Sequence, residues 1–503
     1  MNVKKMKGNN NLHRLIQSLN KAEKRNFKMM IAQHMKKESS NYILLFDAID
    51  RQEVYDEFKL KQKFRKHHFG KNISKTKYML YRQVLKSLRL LNDTKTPRTL
   101  VASYLSSVAT LYSKCLYEQC GALLKKAYGV AESQEFYDQL LEITNWEEKL
   151  LPYLTLEAGE EYDLLAQRKQ SLQLQQAREF SLRSHWTRAQ RISSLPEEVQ
   201  AKNWTALMGK VASEANEEEE SFLSSVFRLS ITALNAHYKG DQETAVQCLV
   251  ALFDKWHSDP ERIIGNEDDY IWTCTPFVMS GTDHMDLVDR FDMLFENLQS
   301  SSHASAKMQE KFRFMAVVLE FIQSLSTCQI ERCKLLLISI EMMQADQLNA
   351  IPRAWQLRLY YYVGIYFFLE GNYAEAIEWV ERVEKAAVPN TQPSMLGYCK
   401  LVSLMAKYEI KSYSNVMEYD IRKTYRYLKK RKQFWEVERL VLNSVKRLLY
   451  ANHVKETQGI FANLCESIQN VERRKIPVFL VTSNAIYQWA SHKLTDPNQR
   501  IIN

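Results

Sequence analysis

Apolar residues recur at helical spacing along almost the whole chain. Leu12, Leu15, Ile16 and Leu19 fall at i, i+3, i+4 and i+7, and Tyr42, Leu45, Phe46 and Ile49 repeat the interval. Tyr81, Val84, Leu85, Leu88 and Leu91 continue it in a helix that Ser74 is placed to cap. No segment sustains the two-residue alternation of a half-buried strand, and the nearest, Tyr270 to Met279, is irregular and contains Pro276. The pattern predicts an all-α chain. Short helices are expected at 41–51, 55–66 and 74–92. Longer ones are expected in pairs: 98–115 with 117–132, 216–238 with 241–257, 304–326 with 328–345, 353–370 with 373–387, and 395–411 with 413–430. A single long helix is expected over 158–192, broken at Leu195-Pro196. Pro97 suits a first helical turn, and Asn216 followed by Glu217 to Glu220 reads as a capped, acidic helix start.

Within this pattern one unit stands out. Over 357–390 the chain places Gly364, Phe367, Gly371-Asn372-Tyr373 and Ala376, with Pro389 closing the unit. These intervals resemble the tetratricopeptide repeat, a helix–turn–helix of 34 residues. The resemblance implies two antiparallel helices held close at Gly364 and Ala376, with Phe367 filling the space beside them and Gly371 ending the first helix in a left-handed conformation. The sequence departs from the family in placing Tyr360 where Trp is common, and Val380 and Val383 for the usual aromatic and Ala; its proline comes one position late. A weaker copy lies at about 226–258, with Ala233, Ala236, Gly240 and Ala245 at matching offsets, and degenerate copies surround Tyr117-Glu118-Gln119-Cys120 and Lys411-Ser412-Tyr413. The fold expected is a helical-hairpin solenoid over 96–495, with breaks near 195 and at 260–285, preceded by a basic helical domain at 1–95. An irregular helical bundle is the alternative. A solenoid implies a concave face that takes a protein or peptide partner.

Composition fits this picture. Only 13 glycines and 10 prolines in 503 residues leave little material for the tight turns of sandwiches and barrels. The apolar run Leu357 to Leu369 is short and interrupted by Arg358, so no membrane span is expected. The polar start from Met1 to Asn11 predicts no export signal, and a cytoplasmic location is expected. Cys115/Cys120 and Cys328/Cys333 are each five residues apart, which on a helix separates side chains by about 140°. Such pairs cannot share a metal, and the eight cysteines read as reduced thiols, most of them packed in cores.

Charge is distributed unevenly. Residues 1–95 hold 23 Lys and Arg against 8 Asp and Glu, whereas the rest of the chain holds 46 against 51. No carboxylate occurs between Glu57 and Asp93. On the helix after Ser74, Lys75, Arg82, Lys86 and Arg89 fall within a stripe about 60° wide, with Val84, Leu88 and Leu91 opposite. A cationic front on an apolar back is what phosphate binding requires, so 58–92 is a candidate nucleic-acid contact. Plain solvation, or docking to an acidic partner or to the acidic remainder of the chain, are the alternatives. The short helices could form a helix-turn-helix, although no sharp signature marks one. A second cluster, Arg422, Lys423, Arg426, Lys429, Lys430, Arg431 and Lys432, ends a helix, where cations complement the helix dipole.

Catalytic motifs are missing. Phe69-Gly70-Lys71-Asn72 lacks the upstream glycine and the hydroxyl residue of a phosphate-binding loop, and no HExxH, GxSxG or GxGxxG occurs. His67 and His68 diverge by about 100° on a helix; Asp283-His284 and Asp286 beside Gly281 offer a carboxylate–histidine pair, against which Thr282 or Asp283 reads as a helix cap. No enzyme, cofactor or metal site is expected. The leading expectation is a non-enzymatic interaction scaffold or adaptor; the alternative is a nucleic-acid-binding regulator whose solenoid senses a partner.

Overall fold

The computed structural model describes residues 11–34, 39–92, 96–155, 159–192, 197–214, 220–263, 265–266, 268–270, 272–274, 313, 316–318, 320–325, 329–342, 353–387, 393–410, 414–430, 436–470 and 480–495. Among them are twenty α-helices, two 3-10 turns and no strand, so the fold is all-α. No described helix is long and apolar enough to cross a membrane. The chain divides into two compact units, Met1–Leu172 and Gln173–Asn503.

In the first unit, α1 (Asn11–Gln17), α2 (Lys21–His34), α3 (Ser39–Asp50), α4 (Glu57–Lys63) and α5 (Ile73–Asn92) enclose a core of their own. Ile16, Phe27, Phe46, Ile49, Phe64, Leu80 and Val84 are its buried centre, and the Phe27 and Phe46 rings stack at 4.7 Å. Asn20 caps α2 reciprocally: its side chain accepts from the Glu23 amide, and its own amide donates to the Glu23 carboxylate, each at 2.8 Å. A 3-10 turn, His68–Asn72, runs directly into α5, which therefore starts at Ile73 without Ser74 as its cap. The turn lies so close to the end of α4 that a Cβ at Gly70 would fall 1.9 Å from the Phe64 carbonyl oxygen. Gly70 thus serves backbone approach, with no phosphate loop involved.

The expected boundary at 95 falls inside this unit, between that core and a second one. The second core belongs to α6 (Pro97–Tyr112), α7 (Tyr117–Ser133), α8 (Tyr137–Leu154) and the start of α9 (Gly159–Ile192). Pro97 takes the first position of α6, and Thr96 and Thr99 close a capping box around it. Helix α9 begins in the first unit and ends in the second.

The second unit continues with α10 (Glu197–Ser213), α11 (Phe222–Lys239) and α12 (Gln242–Ser258). Ser221 caps α11 by accepting from the Ser224 amide, so this helix begins after the acidic run; Asn216 lies outside the described residues. Then come α13 (Ile330–Glu341), α14 (Arg353–Leu369), α15 (Tyr373–Ala386), α16 (Pro393–Glu409), α17 (Ser414–Lys430), α18 (Glu436–Tyr450), α19 (Val454–Asn470) and α20 (Leu480–Thr495). Leu195-Pro196, Cys328, Pro389 and Lys411 to Tyr413 lie outside the described residues.

One turn recurs where helices reverse. The residues preceding α7, α8, α12, α13 and α15 are Leu116, Phe136, Asp241, Gln329 and Asn372, with φ from −80° to −94° and ψ from 63° to 84°. Each donates its amide to a carbonyl five residues back: Leu111, Ala131, Ala236, Ser324 and Phe367, at 2.8–3.1 Å. That is the bond that closes a helix behind a left-handed residue. The left-handed residue is Gly240 in one turn and Gly371 in another, but Cys115 (φ 59°) and Glu135 (φ 55°) in two more. A fixed distance into the next helix stand Cys120, Leu140, Ala245, Cys333 and Ala376, all buried. Cys120 donates to the Val108 carbonyl and Cys333 to the Phe321 carbonyl, each twelve residues back. The Cys115/Cys120 spacing thus marks a turn position and the small residue packed across the hairpin. Cys115, at the turn, is exposed and stands outside the cores expected to hold most of the cysteines.

In the hairpin of α14 and α15, a Cβ at Gly364 would lie 2.8 Å from Val380 Cγ1, so the two helices meet there as closely as a glycine allows. Ala376 is fully buried opposite. Phe367 is only half-buried, its ring edge on Tyr366 at 5.4 Å, and the neighbouring Phe368 is the ring that fills the core. Helix α14 buries residues on every face, with Tyr361, Tyr362, Val363, Ile365, Tyr366 and Phe368 all buried beside Gln356, as a central helix must. What surrounds it includes α20, the last helix described, which packs against α14 as well as α19. Trp489 on α20 lies fully buried among Phe368, Tyr408 and Phe461. In an open solenoid each hairpin touches only its neighbours. Here α20 packs against α14, so at least this contact runs beyond adjoining hairpins.

Candidate functional site

Helix α5 presents the candidate cations. Ile73, Leu80, Val84 and Ser87 set its inner line, and Ser87 accepts from the Asn26 side chain at 3.3 Å. Lys75, Arg82, Lys86 and Arg89 are all exposed on the outer line. Leu85, assigned to the apolar stripe, is 41% exposed beside them, as are Tyr78 and Leu90 at 57% and 53%. The stripe is therefore a cationic row edged by apolar side chains.

Ion pairs of this domain fall elsewhere. Lys77, half-buried, donates to the Tyr55 hydroxyl at 3.0 Å and lies 3.3 Å from Glu57, which also holds Lys61 at 3.1 Å. Burial pulls the Lys77 ammonium down, but its contacts with Tyr55 and Glu57 outweigh this and hold its pKa above the ordinary value. The bond from Lys61 holds the Glu57 carboxyl below its ordinary range, against a smaller opposing effect of burial. Among the described residues, no carboxylate pairs with Lys75, Arg82, Lys86 or Arg89. Asp47, Asp50, Asp56 and Glu57 are paired with other lysines, which leaves the four outer cations open to an anion.

The hairpins α6–α8 carry a second surface feature, which the sequence pattern does not reveal. Tyr117 and Tyr153 stack at 4.1 Å, and Tyr112 meets Trp146 edge-on at 5.5 Å. Lys149 sits over the Trp146 ring, 4.6 Å from its centre. Tyr153 is 53% exposed and the other three rings are half-buried, so the cluster opens to solvent. The Tyr117 hydroxyl is pushed up to about 12 by its contact with Cys115, with burial adding to it. The rings come from two separate stretches, Tyr112 with Tyr117 and Trp146 with Tyr153, so no single local pattern announces the cluster.

Two groups with catalytic residue types have structural contacts among the described residues. His67 and His68 are exposed, and the His67 ring rests against Phe64 and Phe69. Ser181 donates to Glu214 at 2.9 Å, and His185 Nε2 lies 3.3 Å from the same carboxylate and 3.4 Å from Ser181. A nucleophile relay uses the two ring nitrogens for separate partners. Here one nitrogen faces both groups, which makes the set a polar clamp of α9 on the end of α10. Among the described residues no three His, Cys, Asp or Glu side chains converge as a metal site would require. Asp283, His284 and Asp286 lie outside the described residues. The cleft bounded by Asn26, Met29, Met30, Gln33, Leu90 and Leu91 between α2 and α5 has a volume of about 290 Å³ and only amide side chains for polar lining.

In comparisons with known proteins, no family model matches the chain, and neither a curated protein nor a solved structure matches it.

Proposed function

We propose that the chain is a non-enzymatic interaction protein, in which tetratricopeptide-like hairpins offer a surface to a protein or peptide partner. The observation carrying this reading is the exposed aromatic cluster Tyr112, Tyr117, Trp146 and Tyr153. Aromatic groups left open on a rigid scaffold dominate binding energy wherever they are buried by a partner. The recurring turn supports the scaffold half of the reading, because it fixes successive helices in one hairpin geometry.

A photo-crosslinking residue in place of Tyr153, in the full chain in its own cells, tests it. The expected outcome is a discrete protein adduct that disappears in the Tyr117→Ala, Trp146→Ala variant while that variant melts normally. An adduct that survives the double substitution, or none at all, overturns the reading.

The α5 stripe favours a second reading, a regulator that contacts nucleic-acid phosphates through its N-terminal domain. Its test is salt-dependent binding of labelled duplex DNA to the full chain and to the Arg82→Glu, Lys86→Glu, Arg89→Glu variant. A log–log slope that drops by about 2 to 3 in the variant supports it. Equal slopes for the two proteins dismiss it.

A further inference from the structure

The hairpin of α17 and α18 carries a basic surface that helix-end electrostatics does not account for. Helix α17 buries Met417, Ile421, Thr424 and Leu428, a single line at helical spacing. Arg422, Lys423, Arg426, Lys429 and Lys430 are exposed on the rest of its circumference. Only Lys429 and Lys430 lie in its last turn, where cations meet the negative end of the helix dipole. Arg422 and Lys423 stand about two turns earlier, beyond the reach of that effect. Arg431 and Lys432 lie outside the described residues.

Three exposed tyrosines share this hairpin: Tyr419 at 66%, Tyr425 at 44% and Tyr450 at 56%. The Tyr450 hydroxyl donates to Glu418 at 3.1 Å, which ties the end of α18 to the start of α17 and brings Lys446 to the same edge. Lys429 lies 5.9 Å from the centre of the Tyr425 ring. Glu418 is committed to Arg422 at 2.6 Å, and Asp420 to Lys407 on α16, also at 2.6 Å. Among the described residues, Lys423, Arg426, Lys429, Lys430 and Lys446 have no ion-pair partner. This concentration of charge occurs in the part of the chain that is acidic as a whole.

We propose that the α17–α18 hairpin is a contact surface for single-stranded nucleic acid. Phosphates along a strand are met by Lys423, Arg426, Lys429, Lys430 and Lys446, and unstacked bases lie on Tyr419 and Tyr425. Cations alone suit any polyanion. Solvent-facing rings among them suit a strand whose bases are free, because every base has a face to stack and a duplex hides its own. The surface lies in a different unit from α5 and does not depend on either reading given above.

The test is anisotropy of labelled oligouridylate, oligothymidylate, duplex DNA and anionic lipid vesicles with the full chain, between about 50 and about 200 mM salt. Three proteins are compared: the unmodified chain, Lys423→Glu with Arg426→Glu and Lys429→Glu, and Tyr419→Ala with Tyr425→Ala. Melting curves establish that both variants fold. The expected result is binding of one or both single strands in preference to duplex and vesicles. Charge reversal should lower the log–log salt slope by about 2, at roughly 0.7 for each phosphate no longer neutralised. Removing the two rings should weaken binding by about tenfold or more with the slope unchanged. Preference for the uridylate identifies RNA as the ligand, and equal binding of both identifies any single strand. Absence of binding at low salt, indifference to the tyrosines, or equal or tighter binding of duplex or vesicles overturns the proposal.

Discussion

Among the described residues, four left-handed positions close hairpins, and two of them are not glycine. For residues with a Cβ this conformation costs about 1 kcal/mol relative to Gly. Cys115→Gly is therefore expected to stabilise the first unit by about 1 kcal/mol, and Gly371→Ala to destabilise the second by a similar amount. Denaturant titration of each variant checks the pair, and a loss of stability from Cys115→Gly would refute the account. A second residue-scale outcome concerns pH. Burial holds the His237 ring below its ordinary pKa of about 6.5, so its neutral form belongs to the folded state. The unfolded chain takes up the proton first, so stability from this site is complete above about pH 6.5 and falls as pH drops from there toward the lowered value. His237→Gln should flatten that part of a stability–pH profile. At this scale the sequence was legible wherever a residue type has one strong reason to occur. Gly371, Gly364 and Ala376 sit where close approach and chain reversal need them. Cys115 was not picked out because a strained turn leaves no mark of its own in residue type.

Helices were the most legible level, because a buried line at helical spacing is written directly into the chain. The expected pairs at 98–115 with 117–132 and 353–370 with 373–387 correspond to α6 with α7 and α14 with α15 within a few residues. Ends were less legible. Ser74 and Asn216 are good capping residue types, but a preceding 3-10 turn removes the need for one, and Ser221 caps the helix that follows the other. Between elements, polar locks were invisible in sequence because their partners are remote. Glu409 on α16 accepts from Trp489 Nε1 at 2.8 Å and pairs with Lys493 at 2.8 Å, both on α20 and largely shielded from water. Glu409→Ala strands a cation and an indole N–H together and should cost about 3 kcal/mol. Glu409→Gln, which keeps an acceptor for the indole, should cost less. Urea unfolding of both distinguishes this lock from a surface ion pair, whose loss would be barely measurable.

Over the whole molecule, the all-α class and a separate core for the basic N-terminal residues follow from periodicity and charge. The packing of α20 on α14 did not, because nearest-neighbour patterns cannot say which distant helices of an array meet. The run of apolar residues in α14 was the available clue: Tyr361, Tyr362, Val363 and Phe368 cannot all be covered by two adjoining hairpins. The aromatic cluster on α6–α8 and the basic hairpin of α17 and α18 also gain their meaning at this scale, from what their surroundings leave uncovered.

The return of α20 to α14 sets an order of events during synthesis. An open array can stack each hairpin as it leaves the ribosome, but α14 reaches its final surroundings only after α20 has been made. Until then Phe368 and its neighbours on that side lack the Trp489 indole that covers them. A nascent chain paused between α19 and α20 therefore carries an uncovered apolar side of α14, and the arrival of α20 removes that aggregation hazard.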